Sequence, residues 1–236
     1  MHRALLRTVG TAVALATSVV LASCGAPAGP GASTPPAPAA STAQVPQATV
    51  DGVAPGTLVM LIRHAEKPDD DSGPGIDANG NEDESSLTEQ GWDRARRLVD
   101  LFTTAPGVSQ PGPVRPRAIY AAGANDEGRG ARTRETVLPL ATELGIPLDT
   151  RFGKGDEEEL VEHVIAQPGP TLISWQHSGI PTIAEAFPGV TPEPPSEWPD
   201  DRFDVIWTLT RTADGWHFAQ SPELVLPHDS AEIIED

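Results

Sequence analysis

Two histidines in this chain each follow a short apolar run, in positions where their side chains could act on an anionic substrate. Arg63 and His64 follow residues 58–62, and His177 follows residues 171–175 after one glutamine. Runs of this length and composition predict buried strands, and open α/β sheets hold their ligands at the carboxyl ends of their strands. An imidazole there can act as base, acid or nucleophile near neutral pH, and a guanidinium can bind a phosphate or carboxylate through two hydrogen bonds. The sequence therefore predicts an anion site at one edge of a sheet.

Arg132 is a third candidate, because it stands at the predicted start of a helix that ends before Gly145. A helix N-terminus suits an anion through its unpaired N–H groups and through the helix dipole. The alternative is an exposed arginine at a helix start, which the dipole would mildly disfavour. We therefore expect Arg132 to belong to the same site.

Further periodic segments predict the elements that position these side chains. In a helix that opens at residues 87–91, Trp92, Ala95 and Leu98 recur at helical spacing and should be buried, whereas Arg94 should face outward. Apolar runs predict additional strands, and an Asp-Gly pair between two of them predicts a hairpin turn. The expected strands beyond the first and fourth are residues 118–121, 146–151, 203–211 and 216–220, with a helix over 156–166.

The segment from Arg63 to Glu66, Arg-His-Ala-Glu, resembles the Arg-His-Gly/Ala-Glu motif of the histidine phosphatase (phosphoglycerate mutase-like) superfamily. Three more segments follow in that family's order, and the similarity extends over about residues 57 to 220. They are Leu-Thr-Glu-Gln-Gly at 87–91, Arg132 with Glu135-Thr136, and Gln176-His177-Ser178. Two departures are visible: Ala122 lies where the family has a serine-containing strand end, and Gln176 stands where glycine is common.

This resemblance implies a fold and a mechanism. The fold would be a three-layer α/β/α sandwich with a mostly parallel central sheet, phosphoglycerate mutase-like. His64 would attack the phosphorus of a phosphomonoester and become a transient phosphohistidine. Arg63, Arg132 and His177 would surround the phosphoryl oxygens and stabilise their charge. No cofactor or metal is implied, and the scattered His163, His217 and His228 show no metal-ligand spacing.

A carboxylic acid would protonate the leaving oxygen, and the family supplies it from the region after the third strand. Four acidic residues lie there, at positions 156–159. Glu157 shares a helix face with the apolar Leu160 and Val161, whereas Glu159 lies on the outer face, so Glu157 is our candidate, with Asp156 and Glu158 behind it. The alternative is that all four are solvated acids at a helix N-terminus.

Three further residues are candidates for substrate binding because they adjoin the two histidine motifs. Glu66 and Lys67 could line the entrance of the pocket or pair with each other on the loop, and Ser178 follows His177 directly. The sequence has no readable code for the rest of the substrate.

The composition limits the partners. The formal net charge is −18, and acidic runs occur along the chain, so no basic stripe is available for nucleic acid. A phosphorylated small molecule would need a local cluster of cations to overcome this general field. The oligomeric state is left open by the sequence.

The N-terminal region predicts export. Residues 1–23 combine a positive start with a short apolar stretch and end at Leu-Ala-Ser before Cys24, which resembles a bacterial lipobox. Cys24 would carry the lipid and residues 24–55, rich in Pro, Ala and Gly, would form a disordered tether. An ordinary secretory signal with an incidental cysteine is the alternative. The catalytic domain is then expected over residues 56–228, followed by an acidic tail at 229–236.

Three functions are compatible with these patterns. The leading hypothesis is a phosphatase held outside the cytoplasm at the membrane by its lipid anchor alone. A lipoprotein that binds a phosphate ligand with little or no catalysis is an alternative, because of the departures at Ala122 and Gln176. A phosphoryl-transferring mutase would need a second acceptor in the same pocket.

Overall fold

The computed structural model describes residues 57–70, 72–104, 113–123 and 130–236. The expected signal segment, Cys24 and the tether lie outside the described residues. In the part of the chain that is described, none of the helices is long and apolar enough to cross a membrane.

The described residues form one sheet of seven strands, together with four α-helices. This confirms the mixed α/β fold that the sequence predicted. The strands are β1 (Leu58–Arg63), β2 (Ala118–Ala121), β3 (Leu148–Asp149), β4 (Thr171–Trp175), β5 (Val190–Thr191), β6 (Val205–Arg211) and β7 (Trp216–Pro222). The α-helices are α1 (Glu89–Thr103), α2 (Ala131–Leu144), α3 (Glu157–Ile165) and α4 (Ile180–Ala186), and a 3₁₀ turn covers His177–Gly179.

The strand order places the ends of three central strands side by side. The sheet runs β3-β2-β4-β1-β6-β7-β5. The pairs β1–β4, β2–β4 and β2–β3 are parallel, whereas β6 is antiparallel to both β1 and β7. Because β1, β2 and β4 are parallel neighbours, their carboxyl ends meet at one edge of the sheet, where ligands bind in folds of this kind.

Helices cover the central strands on both faces. Strand β1 alternates between two hydrophobic clusters, as the pleat requires: Val59 and Leu61 belong to one, and Met60 and Ile62 to the other. The first cluster includes buried residues of α3 and α4, and the second includes buried residues of α1 and α2. These four residues of β1 have no exposed surface, so the strand is buried up to the residues that precede His64.

The expectation that Arg94 faces solvent was wrong. Its side chain is 3% exposed and contacts three carboxyl groups, those of Glu66 at 2.8 Å, Glu223 at 2.8 Å and Asp229 at 2.6 Å. A buried guanidinium needs such partners, because an unpaired buried charge is very costly. The periodicity of α1 could not reveal this, because two of the partners come from the far end of the chain.

Residues 229–236 do not form a separate tail. Asp229 binds Arg94, Ile234 is 3% exposed within the first hydrophobic cluster, and its backbone N–H donates to Gln220 Oε1 at 3.2 Å. The acidic composition of this segment conceals the apolar residue that anchors it. Asp229 and Ile234 therefore attach this segment to the rest of the domain.

Candidate active site

Most of the predicted site residues line a cavity of about 360 Å³ at the carboxyl ends of β1, β2 and β4. Five of them line it: His64, Lys67, Arg132, His177 and Ser178. The cavity is also lined by six residues that were not predicted to belong to the site, namely Ser85, Gly123, Gly130, Thr133, Lys154 and Gln176.

His64 is held in the tautomer that leaves its outer nitrogen free. Its Nδ1 lies 2.8 Å from the carbonyl oxygen of Ala65. Because that oxygen can only accept, Nδ1 carries the hydrogen and Nε2 keeps its lone pair. Burial, together with the nearby charges of Arg63 and Arg132, lowers the pKa of His64 to about 3. The imidazole is therefore neutral near pH 7 and can act as a nucleophile.

The backbone on either side of His64 is fixed by two distant elements. The N–H of His64 donates to Trp175 O at 3.0 Å, at the end of β4. The N–H of Ala65 donates to Thr136 Oγ1 at 2.8 Å, and that hydroxyl in turn donates to Arg132 O at 2.7 Å. Thr136 thus joins α2 to the peptide that follows the nucleophile candidate, which explains the place of threonine in this segment.

Helix α1 approaches the same loop through a glycine. The N–H of Thr88, the N-cap of α1, donates to Glu66 O at 3.0 Å. A Cβ atom added to Gly91 would lie 2.6 Å from the same oxygen, closer than a carbon can approach it. Glycine at this position therefore allows α1 to pack directly on the loop after His64.

Arg63 is bound on one edge and unpaired on the other. Its Nη1 donates to the carbonyl oxygens of Pro199, Asp200 and Arg202 at 3.1, 2.6 and 3.0 Å, and its guanidinium carbon lies 3.9 Å from the ring centre of Phe203. The buried Nε and Nη2 have no hydrogen-bond partner among the described residues. Unpaired buried donors are costly, and an anion at this edge would satisfy both.

Arg132 is fixed over the cavity by the backbone that leads into α1. Its Nε donates to Ser86 O at 3.3 Å and its Nη2 to Glu84 O at 2.7 Å. Glu135 holds the same backbone, because its carboxylate accepts from Ser86 Oγ at 2.8 Å and from the Leu87 N–H at 3.1 Å. Burial lowers the pKa of Arg132 and raises that of Glu135. The first turn of α2 thus organises one wall of the cavity.

The N-terminus of α2 itself opens on this cavity. The N-cap residue Gly130 lines the cavity and makes no side-chain capping bond. The Thr133 hydroxyl, which could have capped from within, instead contacts Ala122 O at 3.1 Å and Gly130 O at 2.8 Å. This leaves the first N–H groups of a helix of 14 residues without a side-chain cap, as expected where a helix binds an anion.

His177 is oriented by a carboxylate that the sequence analysis missed. Its Nε2 lies 3.0 Å from Asp200 Oδ1, and the Asp200 side chain is 77% exposed. Burial lowers the pKa of His177, and so does the charge of Arg63, whereas Asp200 acts in the opposite direction. Asp200 therefore contacts Arg63 with its backbone and His177 with its side chain. Its loop follows no strand-end pattern, so no sequence signal marked it.

Three predicted site residues do not line the cavity, namely Arg63, Glu157 and Glu66. Glu157 is 8% exposed and does not line the cavity. Its Oε1 accepts from Trp175 Nε1 at 3.1 Å and its Oε2 from the Gly155 N–H at 2.8 Å. Glu66 faces a neighbouring cleft, where its carboxylate pairs with Arg94.

The other carboxylates considered with Glu157 do not line the cavity either. Asp156 Oδ2 accepts from the Gly153 N–H at 2.8 Å, and Glu158 and Glu159 are exposed on α3. No group of three or more His, Cys, Asp or Glu side chains that could hold a metal ion occurs among the residues described.

Comparison with known proteins gives a distant likeness. No family model and no curated protein matches the chain. One solved structure that is similar to it is described as "a putative alpha-ribazole-5'-P phosphatase" from Escherichia coli K-12; the sequences are 14% identical, and the match covers 77% of this chain and 100% of that one, with a TM-score of 0.44. A likeness at this level does not assign the chain to a family.

Proposed function

We propose that this protein is a phosphomonoester hydrolase that acts through a phosphohistidine on Nε2 of His64. The observation that carries the proposal is the bond from His64 Nδ1 to Ala65 O at 2.8 Å. It holds a neutral, buried imidazole with its free nitrogen in a cavity that also contains Arg132 and His177. A nucleophile surrounded by cations suits an electrophile that is itself an anion, as a phosphate ester is.

The reaction proceeds in two displacements. The Nε2 lone pair of His64 forms a bond to phosphorus while the bond from phosphorus to the ester oxygen breaks, and that oxygen leaves as an alcohol after it takes a proton. The ring becomes positively charged, and its Nδ1–H remains bonded to Ala65 O, which stabilises that charge. Water then attacks phosphorus, the bond to Nε2 breaks, and inorganic phosphate and neutral His64 are released.

The phosphoryl oxygens are stabilised by groups that have unused donors. Nε and Nη2 of Arg63 are unpaired in the described residues, and Arg132 and His177 line the cavity. Preorganised donors of this kind stabilise the charge that spreads over the equatorial oxygens of the transition state. Within a protein of formal net charge −18, such a local cluster is what allows an anionic substrate to bind.

Two carboxyl groups are candidates for the proton donor. The helical face of α3 indicated Glu157, but both of its oxygens accept hydrogen bonds away from the cavity. Asp200 lines the neighbouring cleft and not the cavity, but its exposed carboxylate lies 3.0 Å from His177, which does line the cavity, and this contact favours it. Asp200→Asn should therefore slow turnover by ~10²–10⁴-fold with poor leaving groups and much less with good ones. If Glu157→Gln shows that pattern instead, Glu157 and not Asp200 is the proton donor.

A phosphoenzyme trap tests the proposal as a whole. The full-length protein is exposed briefly to a ³²P-labelled phosphomonoester and quenched in alkali. A phosphoramidate such as phosphohistidine survives in alkali and is hydrolysed in acid. Wild type should retain base-stable label, and His64→Asn should lose both the label and turnover. His217→Asn, which removes an exposed histidine elsewhere, is the matched control and should retain both.

The outcomes separate the alternatives. Label that persists in His64→Asn would refute the assigned nucleophile, and metal-dependent turnover without label would refute the mechanism. Binding of a phosphate ester with neither label nor turnover would identify a binding protein. Transfer of the label to an added alcohol acceptor in preference to water would identify a mutase.

We further propose that the enzyme works outside the cytoplasm, anchored by lipid on Cys24. The support is the sequence pattern at residues 1–24 alone. Cys24→Ala should release the protein from membranes or leave it unprocessed, because the tether has no membrane affinity of its own. Wild-type protein found wholly in the soluble fraction, with no lipid mass at its N-terminus, would refute this.

A further inference from the structure

Both lysines of this chain lie at the same cavity. The sequence contains two lysines in 236 residues, Lys67 and Lys154. They come from different loops, one after β1 and the other before α3, and both line the cavity that contains His64 and His177. All other Lys or Arg positions of the chain are arginine, so the flexible ammonium groups of lysine occur only at this cavity.

Neither lysine has a partner that explains its position. Among the described residues, no carboxylate lies within salt-bridge distance of either ammonium group, whereas Arg94, Arg151 and Arg202 all have such carboxylates. Lys67 is half-buried and Lys154 is exposed. Both act on the cavity, because the charge of each lowers the pKa of His177. Two unpaired cations that face one small cavity indicate an anionic ligand group.

The phosphoryl group itself does not require these lysines. Arg63, Arg132 and His177 already provide donors for its oxygens. We propose that the substrate is a small phosphomonoester with a second anionic group, a carboxylate or another phosphate, which Lys67 and Lys154 bind together. This inference rests on the proposed phosphatase function and adds the class of substrate.

The surroundings of the cavity restrict where that second group can lie. On its other side Lys67 borders a cleft of about 490 Å³. That cleft is lined by several carboxylates, including those of Glu66, Asp69 and Asp201, which would repel an anion. The second anionic group is therefore confined to the side of Lys67 that faces Lys154. A cavity of about 360 Å³ also favours a metabolite-sized molecule over a polymer.

The test compares three substrates that share a three-carbon skeleton. These are glycerol 3-phosphate, whose other end is uncharged, 3-phosphoglycerate, which carries a carboxylate, and glycerol 1,3-bisphosphate. Wild type should show a kcat/KM at least ~10-fold higher for one of the two anionic compounds than for glycerol 3-phosphate, since charge-assisted hydrogen bonds contribute this much or more. The readout is this ratio, so a general loss of activity does not affect the conclusion.

Variants of the two lysines test whether these side chains cause the preference for a second anionic group. Lys67→Met and Lys154→Met should each reduce the ratio, and the double variant should bring it close to one. Arg97→Gln, which removes an exposed cation of α1, is the control and should keep the wild-type ratio. Equal kcat/KM for all three compounds in wild type, or a preference that survives in the double variant, would overturn this inference alone. Failure to hydrolyse any phosphomonoester would instead refute the proposed function.

Discussion

His64 should remain uncharged at pH values where exposed histidines are protonated. Burial, assisted by Arg63 and Arg132, lowers its pKa in the folded protein from 6.5 to about 3. In the unfolded chain the same ring takes up a proton near pH 6.5. The unfolded state therefore gains protons first as the pH falls. The contribution of the neutral His64 ring to the free energy of unfolding is therefore full above pH 6.5, and it is progressively lost as the pH falls toward 3.

The size of the effect follows from the two pKa values. Each pH unit between them costs about 1.4 kcal/mol of unfolding free energy. Acidification from about pH 7 to about pH 4 should therefore cost the folded state roughly 3 kcal/mol through His64 alone. His64→Asn has no such proton to take up. The difference in unfolding free energy between this variant and wild type should change by roughly 3 kcal/mol in favour of the variant over that range.

Two measurements check this reasoning. Denaturant unfolding of wild type, His64→Asn and the comparison variant His217→Asn at both pH values gives the free-energy difference. NMR of the ring carbon-bound protons, with His64 assigned by its absence in the variant, gives the titration directly. A His64 resonance that titrates with a midpoint near pH 6.5 would refute the buried neutral imidazole, and with it the nucleophile assignment. An equal loss of stability in wild type and His64→Asn would contradict the linkage.

Three further predictions follow from individual contacts. Arg63→Lys should lower kcat/KM by ~100-fold or more, because one ammonium cannot bind three loop carbonyls and an anion at once; near-normal kinetics would exclude this side chain from the site. Thr136→Val should destabilise the fold by about 1–3 kcal/mol, since it leaves the buried Ala65 N–H unpaired, and should lower kcat; Thr142→Val, at an exposed hydroxyl on the same helix, should do neither. Burial raises the pKa of Glu223 to about 8, although its partner Arg94 acts in the opposite direction. The folded state therefore holds a proton that the unfolded state releases near pH 4.5. Wild type should lose stability as the pH rises from about 5 to about 8. Glu223→Gln should not show that loss, and parallel pH–stability curves for the two proteins would contradict it.

Local sequence patterns predicted much of the framework of the site. The apolar runs of β1 and β4 and the short run of β2 predict buried strands independently of the rest of the chain, because it is unfavourable to expose consecutive apolar side chains to water. Gly145 marks the end of α2, where the backbone adopts φ 64°, a conformation that favours glycine. Polar residues at strand ends then indicated His64 and His177, and Arg132 followed from the helix start.

Other elements were too short for their patterns to predict. Strand β3 has two residues where six were expected, and β5 and α4 were not predicted. A strand of two residues has no periodicity, and its pairing with a neighbour defines it. The sequence was sufficient for elements that bury a whole face and insufficient for elements that a neighbour stabilises.

The roles of charged side chains depended on tertiary structure. Arg94 looks exposed by helical spacing, yet it is buried because Glu223 and Asp229, more than a hundred residues later, surround it. Asp200 reaches His177 only because Arg63 holds the backbone of that loop. A charge can be buried only where opposite charges and donors converge on it. The sequence by itself therefore determined which central strands form and which residues end them, whereas the fold decided which charges are paired with one another.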